Sequence, residues 1–343
     1  MSISKLLRAV VAGEPVDAVH LEDVLGLAMT GEADPVQLAG LLSALACRQP
    51  QAEWLVAGAR ALRAHGIAVR PQVRPLVDTC GTGGDGSGTF NVSTAAAFVV
   101  AASGCAVAKH GNRGVSSPVG SADVLEAAGV QLQQTPQRAC ELLDAVGFAF
   151  LFAPSFHPAM RHVAPIRRAL GVRTLFNLLG PLASPARAEF QVVGVYCSTL
   201  TRVVAEALLQ LGSAGALVVH CDGVDEIGLH AVTVAHQVKD GEVHEVRIDP
   251  RECGLSFSSL EKLQGGADKH ANALLLREAL RGEGSERSEI VSLNAGAALL
   301  VAGQVKTLQQ GFEAARDVMR SGGAERVLDR YITSSQDCKQ VAS

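Results

Sequence analysis

The sequence has little of what would define several other classes of protein. Aromatic residues make up 4% and charged residues 19% of the 343 residues, and the formal net charge is −4. No basic field is therefore available to attract nucleic acid or an acidic membrane surface. The eight cysteines include no CxxC pair and no spacing typical of metal ligands, so we expect reduced thiols. The longest uncharged stretch, residues 86–108, holds about 14 apolar residues where a membrane span needs about 20.

Glycine and apolar residues are abundant instead, with 35 glycines and a hydrophobic fraction of 48%. This profile is typical of an α/β protein with many tight loops. The length exceeds the roughly 100 to 200 residues of a typical domain, which predicts two structural units. The N-terminal segment carries Lys5 and Arg8 and lacks the long apolar region of a secretory signal, so a cytoplasmic location is expected.

Helical periodicity marks the first part of the chain. Apolar residues recur at helical spacing through residues 1–66, as at Leu21, Val24, Leu25 and Ala28. Breaks at residues 13–15, 31–35 and 49–50 divide this region into about four helices. We expect a small helical domain over residues 1–72, with a segment at about 160–185 packed against it. A large α/β domain is expected over residues 73–343.

Beyond residue 73, short apolar runs end in glycine-rich or polar turns and precede helical stretches, a pattern typical of strands joined by crossover helices. The predicted strands are residues 73–78, 105–109, 149–153, 192–196 and 216–220. A hairpin is predicted from residues 232–238 and 243–248, because an Asp-Gly turn lies between them. An exposed charged loop is predicted at residues 281–289. The fold class is thus α/β with a central, mostly parallel sheet, and ligands of such sheets bind beyond the carboxyl ends of the strands.

A glycine loop, residues 81–86, follows the first predicted strand and fits GxGxxG. A dinucleotide-binding turn fails because no acidic residue follows about 20 positions later, and a Walker loop fails because Ser87 and Gly88 stand where lysine and a hydroxyl residue are needed. An alanine-rich helix follows, and free amides at its N-terminus would favour phosphate. Two interpretations remain open, an anion site and a glycine turn in which Ser93 or Thr94 caps the helix.

A basic segment, residues 109–117, follows the second strand and holds Lys109, His110, Arg113, an amide and two hydroxyls. The residues 120–123 then open another helix, where Ser121 is placed to contact a phosphate oxygen. A charged pair, Asp225 and Glu226, follows the strand at 216–220 and offers the hard oxygens that suit Mg²⁺. The alternatives to these ligand sites are a solvated loop and a charged surface turn.

Taken together, the motifs resemble the anthranilate phosphoribosyltransferase family. The order and spacing agree over nearly the whole chain, at residues 81–85, 91–94, 109–112, 120–123, 157–160, 173–181, 225–226 and 293–297. The resemblance implies a fold of the nucleoside phosphorylase and phosphoribosyltransferase type, with a homodimer contact through the helical domain. Gly114, Pro118 and residues 229–232 depart from the family pattern without removing an implied ligand.

The resemblance also implies the roles of individual residues. It assigns phosphoribosyl diphosphate to Gly81, Thr82, Gly83, Gly84, Asp85, Thr89, Asn91, Ser93, Thr94, Lys109 and Ser121. Anthranilate is assigned to Gly81, His110, Asn112, His157, Arg167, Gly180 and Pro181, and Mg²⁺ to Ser93, Asp225 and Glu226. Arg167 is the implied partner of the anthranilate carboxylate, since an arginine fork matches a planar carboxylate. Without the resemblance, Arg161, Arg167 and Arg168 would be interpreted as a solvated helix face.

The implied reaction transfers the 5-phosphoribosyl group from phosphoribosyl diphosphate to the amine of anthranilate and releases pyrophosphate, the second step from chorismate to tryptophan. No catalytic side chain is assigned with certainty. One alternative is a pyrimidine nucleoside phosphorylase-like enzyme, which the HPAM motif and Arg167 disfavour. The other is a non-catalytic relative that binds nucleic acid, which the acidic pair and the lack of a strongly basic surface disfavour.

Overall fold

The computed structural model describes residues 2–114 and 119–337. Val115, Ser116 and Ser117 of the basic segment, as well as Cys338, lie outside the described residues. Within that part of the chain, a bundle of helices is followed by a seven-stranded sheet with helices on its faces. None of the described helices is long and apolar enough to cross a membrane.

Four helices form the N-terminal bundle, which confirms the prediction. They are α1 (Ile3–Val11), α2 (Ala18–Thr30), α3 (Pro35–Ala46) and α4 (Ala52–Ala64). The Asp17 carboxylate accepts hydrogen bonds from the first amides of α2, and the Asp34 carboxylate does the same for α3. Gly31 ends α2 in the left-handed conformation, with a φ of 81°. Local capping chemistry therefore determines where α2 and α3 begin and where α2 ends.

The sheet has the strand order β3-β2-β1-β4-β5-β6-β7. Its strands are β1 (Leu76–Gly81), β2 (Ala106–Gly111), β3 (Phe148–Phe152), β4 (Phe190–Gly194), β5 (Gly215–His220), β6 (Thr233–Lys239) and β7 (Glu242–Ile248). The first five pair in parallel, and β6 and β7 form the predicted antiparallel hairpin. The predicted start of β1 at residue 73 is wrong by three residues, because Pro75 has no N–H to donate to a neighbouring strand.

Eleven further helices lie in the described residues from 73 onwards. They are α5 (Val92–Ala102), α6 (Ser121–Ala127), α7 (Pro136–Val146), α8 (Ala153–Phe156), α9 (Ala164–Leu170), α10 (Phe176–Leu179), α11 (Thr201–Gln210), α12 (Lys269–Leu280), α13 (Glu286–Val301), α14 (Leu308–Arg320) and α15 (Gly323–Gln336). The predicted loop at 281–289 is wrong in its second half. The Ser285 hydroxyl accepts a hydrogen bond from the Ser288 amide and so starts α13 at Glu286.

Two apolar clusters form the core. One lies between the sheet and helices such as α5, α13 and α15, where Phe98 stacks on Phe148 with ring centroids 4.3 Å apart. The second joins the N-terminal helices to α10, α11 and one face of β4 and β5. The helix α9 packs against α3, and α10 packs against α4. The domain division at residues 72 and 73 stays a prediction.

Candidate active site

Three polar segments meet at the carboxyl ends of the central strands. The glycine loop continues from β1, the basic segment from β2, and the acidic pair follows β5 after a short turn. The loop is fixed to the neighbouring strand, since the Thr82 amide donates to the Gly194 carbonyl at 2.9 Å. The Tyr196 amide donates in turn to the Thr82 hydroxyl at 3.2 Å. Parallel pairing thus brings together residues that are far apart in the sequence.

The glycine loop and the acidic pair form one hydrogen-bonded unit. The Gly83 amide donates to Asp225 Oδ2 at 2.8 Å, and the Asp225 amide donates to Asp85 Oδ2 at 3.2 Å. A Cβ atom at Gly81 would lie 2.6 Å from Asp225 Oδ2, closer than real Cβ contacts. Gly81 is therefore required for the carboxylate of Asp225 to approach the backbone.

The prediction of free amides at the N-terminus of α5 is wrong. The Ser93 amide donates to Glu226 Oε1 at 3.0 Å, while the Val92 and Thr94 amides donate to backbone carbonyls of residues 90 and 91. Capping by Ser93 or Thr94 is also wrong, because Asn91 is the N-cap residue and makes no side-chain cap bond. Glu226 therefore occupies the positive end of this helix from 133 residues away in sequence.

Lys109 lies buried below the same cluster, with 2% of its surface exposed. Its ammonium donates to the Thr79 carbonyl and, at 3.3 Å, to Ser93 Oγ. Burial lowers its pKa, an effect opposed by nearby carboxylates including Asp78 and Glu226. A buried ammonium is costly unless it is paired, so Lys109 stabilises the negative charge gathered around it.

The acidic pair is electrostatically strained. Burial raises the pKa of Asp225 to about 7, with Asp85 as the second cause. Burial likewise raises the pKa of Glu226 to about 8, and the charge of Asp225 adds to this rise. A bound cation would relieve both effects. Among the described residues, no three His, Cys, Asp or Glu side chains are placed to hold a metal ion together.

The outer part of the glycine loop is held by its own hydroxyl and carboxyl groups. Asp85 accepts hydrogen bonds from the Ser87 amide and hydroxyl, at 3.1 and 2.8 Å. The Ser87 hydroxyl also lies 3.2 Å from Thr89 Oγ1. Asn91 turns away from this loop and donates through Nδ2 to the Val119 carbonyl at 3.4 Å. These contacts give the loop a defined shape.

The basic segment contributes less free charge than its sequence indicates. The Arg113 guanidinium forms ion pairs with Asp123 at 2.9 Å and Glu126 at 2.8 Å, so its charge is neutralised. The predicted helix α6 begins at Ser121, and the Ser121 hydroxyl donates to the Asn112 carbonyl at 3.3 Å. Lys109 is thus the cation of this segment that the fold directs into the cluster.

A second group of residues lies next to Lys109 on the side of the helical bundle. His110 Nδ1 is 2.9 Å from the Gly180 carbonyl, and the rings of His110 and His157 are 5.1 Å apart. Within the described residues, His110 Nε2 is buried and has no hydrogen-bond partner. Burial lowers the pKa of His110 to about 3 and also lowers that of His157, so both rings are neutral at pH 7. The Pro181 carbonyl accepts from Gln191 at 2.9 Å.

Arg167 is the half-buried member of the three predicted arginines, whereas Arg161 and Arg168 are exposed. Its guanidinium lies 5.5 Å from the ring centroid of Phe176 and 3.4 Å from Asn177 Oδ1. In the part of the chain that the structure describes, it has no acidic partner. A partly desolvated guanidinium without a counter-charge is suited to a carboxylate ligand.

Two residues that bind the glycine loop were not predicted from the sequence. Arg173 donates to the Gly84 carbonyl at 3.0 Å and lies over the ring of Tyr196 at 4.4 Å. Gln264 donates to the Ser87 carbonyl at 2.9 Å. Arg173 lies in the motif at residues 173–181 that carries the family resemblance, so a role near the site could have been predicted from the sequence. Nothing in the sequence around Gln264 indicates its contact.

Comparisons with known proteins identify the class of protein to which the chain belongs. The glycosyl transferase family matches through its a/b domain at residues 73–325 and through its helical bundle domain at residues 4–66. A curated anthranilate phosphoribosyltransferase of Symbiobacterium thermophilum is 48% identical over 326 residues, 95% of each chain. The chain therefore belongs to the anthranilate phosphoribosyltransferase family.

Solved structures agree with this assignment. The crystal structure of anthranilate phosphoribosyltransferase from Thermus thermophilus matches with a TM-score of 0.91 and 45% identity, over 96% of this chain and 99% of that one. The enzyme from Saccharomyces cerevisiae, in complex with PRPP and Mg, matches with a TM-score of 0.89 and 26% identity over 97% of both chains. The predicted α/β fold with a small helical unit is confirmed.

Proposed function

We propose that the chain transfers the 5-phosphoribosyl group of phosphoribosyl diphosphate to the amine of anthranilate, with release of pyrophosphate. The observation that carries the proposal is the cluster in which Lys109, Ser93, Asp225 and Glu226 meet the glycine loop at the carboxyl ends of the strands. Such a cluster combines a buried ammonium, a serine hydroxyl and two carboxylates. These are the groups needed to hold a diphosphate together with its metal ion.

Magnesium is the cofactor that fits the donor set. Asp225 and Glu226 supply hard carboxylate oxygens, Ser93 supplies a hydroxyl, and burial together with the charges of neighbouring carboxylates leaves the pair in need of a cation. Magnesium takes one or two carboxylates and completes its shell with water and substrate phosphates, so a third acidic ligand is not required. When bound, Mg²⁺ neutralises negative charge on the leaving diphosphate. The yeast relative in complex with PRPP and Mg supports this choice.

The diphosphate sugar lies along the glycine loop in this proposal, with Thr82, Gly84, Asp85, Thr89, Asn91, Thr94 and Ser121 around it. Most of these residues are already tied to one another or to the strand ends, which fixes the loop before substrate arrives. A rigid loop positions the sugar without a further ordering cost.

The acceptor lies on the side of the helical bundle, between Arg167 and the two histidines. Arg167 binds the anthranilate carboxylate, and the neutral rings of His110 and His157 border the aromatic ring together with Gly180, Pro181 and Asn112. An aromatic amine is neutral at pH 7, so the attack on the ribose C1 carbon needs no strong base. The chain contributes positioning, exclusion of water and stabilisation of the leaving charge.

The chain also forms a homodimer through its helical bundle in this proposal. Three valines on three of the bundle helices, Val11, Val19 and Val36, are between 72% and 80% exposed. Apolar side chains as exposed as these would become buried in a contact between two bundles. Light scattering after size exclusion tests the dimer, and a monomer at micromolar concentration would contradict it. The cytoplasmic location stays a prediction.

The decisive assay mixes purified protein with phosphoribosyl diphosphate, Mg²⁺ and anthranilate and follows the loss of anthranilate fluorescence. The proposal predicts a decay that depends on all three components and stops on chelation of Mg²⁺. A matched reaction with a pyrimidine nucleoside and inorganic phosphate should show no turnover. No decay with anthranilate, or turnover of the nucleoside, would reject the proposed acceptor.

A further inference from the structure

A cavity of about 260 Å³ lies outside the candidate active site. It is lined by Arg60, Arg63, Ala64, Arg187, Gln210 and Leu211. Arg60 and Arg63 are near the end of α4, Arg187 precedes β4, and Leu211 lies between α11 and β5. Arg187 and Leu211 therefore lie at the edge where the parallel strands begin, whereas the glycine loop lies where they end. A strand of five residues separates these edges by about 16 Å.

Three guanidinium groups face this cavity with little to neutralise them. The only ion pair among them in the described residues joins Arg60 to Glu22 at 4.0 Å, between two exposed side chains. Arg63 and Arg187 have no acidic partner and no side-chain hydrogen bond in the same set of residues. Arg63 Nε is buried and lacks a partner, although buried N–H groups are normally satisfied.

The electrostatics of Arg63 show that the charges act on one another. Its pKa is lowered to about 10, first by burial and then by the positive charges of Arg187 and Arg60. Three cations held together in this way repel one another unless an anion lies between them. The backbone of Arg187 adds a second sign of constraint, because its φ of 48° is in the left-handed region that non-glycine residues rarely adopt.

We propose that this cavity, which we call the arginine cavity, binds the phosphoryl group of a small molecule at a site separate from the active site. Arginine forks match the oxygens of a phosphate in two-pronged hydrogen bonds, and Gln210 adds an amide donor. The volume admits a phosphate together with a compact organic group and is below that of sites for larger ligands. Inorganic phosphate and a phosphorylated sugar share this chemistry.

Isothermal titration with inorganic phosphate and with ribose 5-phosphate, at constant ionic strength and without Mg²⁺, tests the proposal. Arg63→Gln combined with Arg187→Gln should weaken binding at this site about tenfold or more, because two charged donors are lost. Arg320→Gln, a change of the same kind at an exposed arginine of α14, should leave binding unchanged. Tighter binding of ribose 5-phosphate than of phosphate would identify a phosphorylated metabolite, and equal binding would identify phosphate itself.

The readout is independent of the proposed reaction, since it measures binding and not turnover. Melting temperatures establish that each variant is folded. If the double variant does not fold, the single variant Arg187→Gln, at an exposed position, replaces it in the titration. The values of kcat and KM should be unchanged in both variants. Undiminished phosphate binding in the folded variants would overturn the proposal, because any binding would then lie elsewhere, as at the glycine loop.

Discussion

The two halves of the candidate active site differ in how far their polar groups are already satisfied. On the phosphate side, the glycine loop, Lys109, Asp225 and Glu226 are joined in a continuous network of hydrogen bonds. On the acceptor side, His110 Nε2 is buried with no partner among the described residues. Arg167 on that side has one long hydrogen bond and, within residues 2–114 and 119–337, no acidic partner.

This difference indicates that the halves bind by different means. The residues of the phosphate side are held by the fold, so they act through electrostatics that the fold has already arranged. The acceptor side offers a buried imidazole nitrogen and a half-buried guanidinium to a ligand, so its residues act mainly through affinity for the acceptor. Changes on the phosphate side should therefore lower turnover, and changes on the acceptor side should raise the KM for anthranilate.

The largest effect is expected from Asp225→Asn combined with Glu226→Gln. The amides keep the shape and can still accept from Gly83 and Ser93, but they no longer carry the charge that holds Mg²⁺. We expect kcat to fall about 10³-fold. The melting temperature establishes whether the variant is folded, because the buried ammonium of Lys109 loses two neighbouring carboxylates.

Glu206→Gln, at a half-buried position of α11 where Glu206 pairs with Arg202, is the control for this double variant and should retain full activity. Anthranilate fluorescence at several Mg²⁺ concentrations gives the rates. Full turnover of the double variant at millimolar Mg²⁺ would show that the acidic pair does not hold the metal. It would also remove the electrostatic contrast between the two halves.

A smaller loss is expected from Lys109→Met, which keeps the length of the side chain but removes its charge. The Thr79 carbonyl and Ser93 hydroxyl lose a donor, and the neighbouring carboxylates lose their cation. We expect kcat/KM for phosphoribosyl diphosphate to fall about 100-fold with little change in the KM for anthranilate. Lys306→Met, at an exposed position, is the control. A rise confined to the KM for anthranilate would show that Lys109 acts on the acceptor side and not on the phosphate side.

The same contrast explains what the sequence could reveal. The helix breaks, the succession of strands along the chain and the Asp-Gly hairpin are determined by neighbouring residues. These predictions are confirmed. The pairing of Arg113 with Asp123 and Glu126 is also nearly local, and the spacing of those two acids on α6 could have indicated it. Elements and local pairs can therefore be predicted from sequence pattern.

Long-range partners could not be predicted in this way. The sequence gives no sign that Glu226 satisfies the amide of Ser93, or that Gln264 binds the glycine loop, because each contact depends on the folded sheet. The sequence therefore predicted free amides at the N-terminus of α5, where the Glu226 carboxylate accepts from the Ser93 amide. The burial that distinguishes Arg167 from Arg161 and Arg168 is likewise a property of the packed helices.

On the acceptor side, Arg167→Ala should act on one substrate only. Loss of a charge-assisted contact with the carboxylate should raise the KM for anthranilate about 10- to 100-fold. The KM for phosphoribosyl diphosphate should change less than roughly twofold, since the described contacts of Arg167 are with Phe176 and Asn177 and not with the glycine loop. Arg168→Ala, its exposed neighbour, is the matched control. An equal rise in both KM values would show that the halves are not separate.

The smallest effect concerns stability, and it tests whether the acceptor side holds a neutral imidazole. Unfolded histidine binds a proton below about pH 6.5, whereas burial lowers the pKa of folded His110 to about 3. The unfolded state therefore binds more protons between these values, so His110 lowers the free energy of unfolding by up to about 1.4 kcal/mol per pH unit as the pH falls.

His110→Asn removes this proton uptake and retains a donor for the Gly180 carbonyl. Urea unfolding at pH 7.5, 6.5 and 5.5 should show a shallower loss of stability for this variant than for the wild type. The comparison cancels groups common to both proteins, including the carboxyls whose raised pKa values act in the opposite direction. His244→Asn, on exposed strand β7, is the control. Identical slopes for His110→Asn and the wild type would mean that the imidazole is hydrated or paired, and the contrast between a satisfied and an unsatisfied half would then fail.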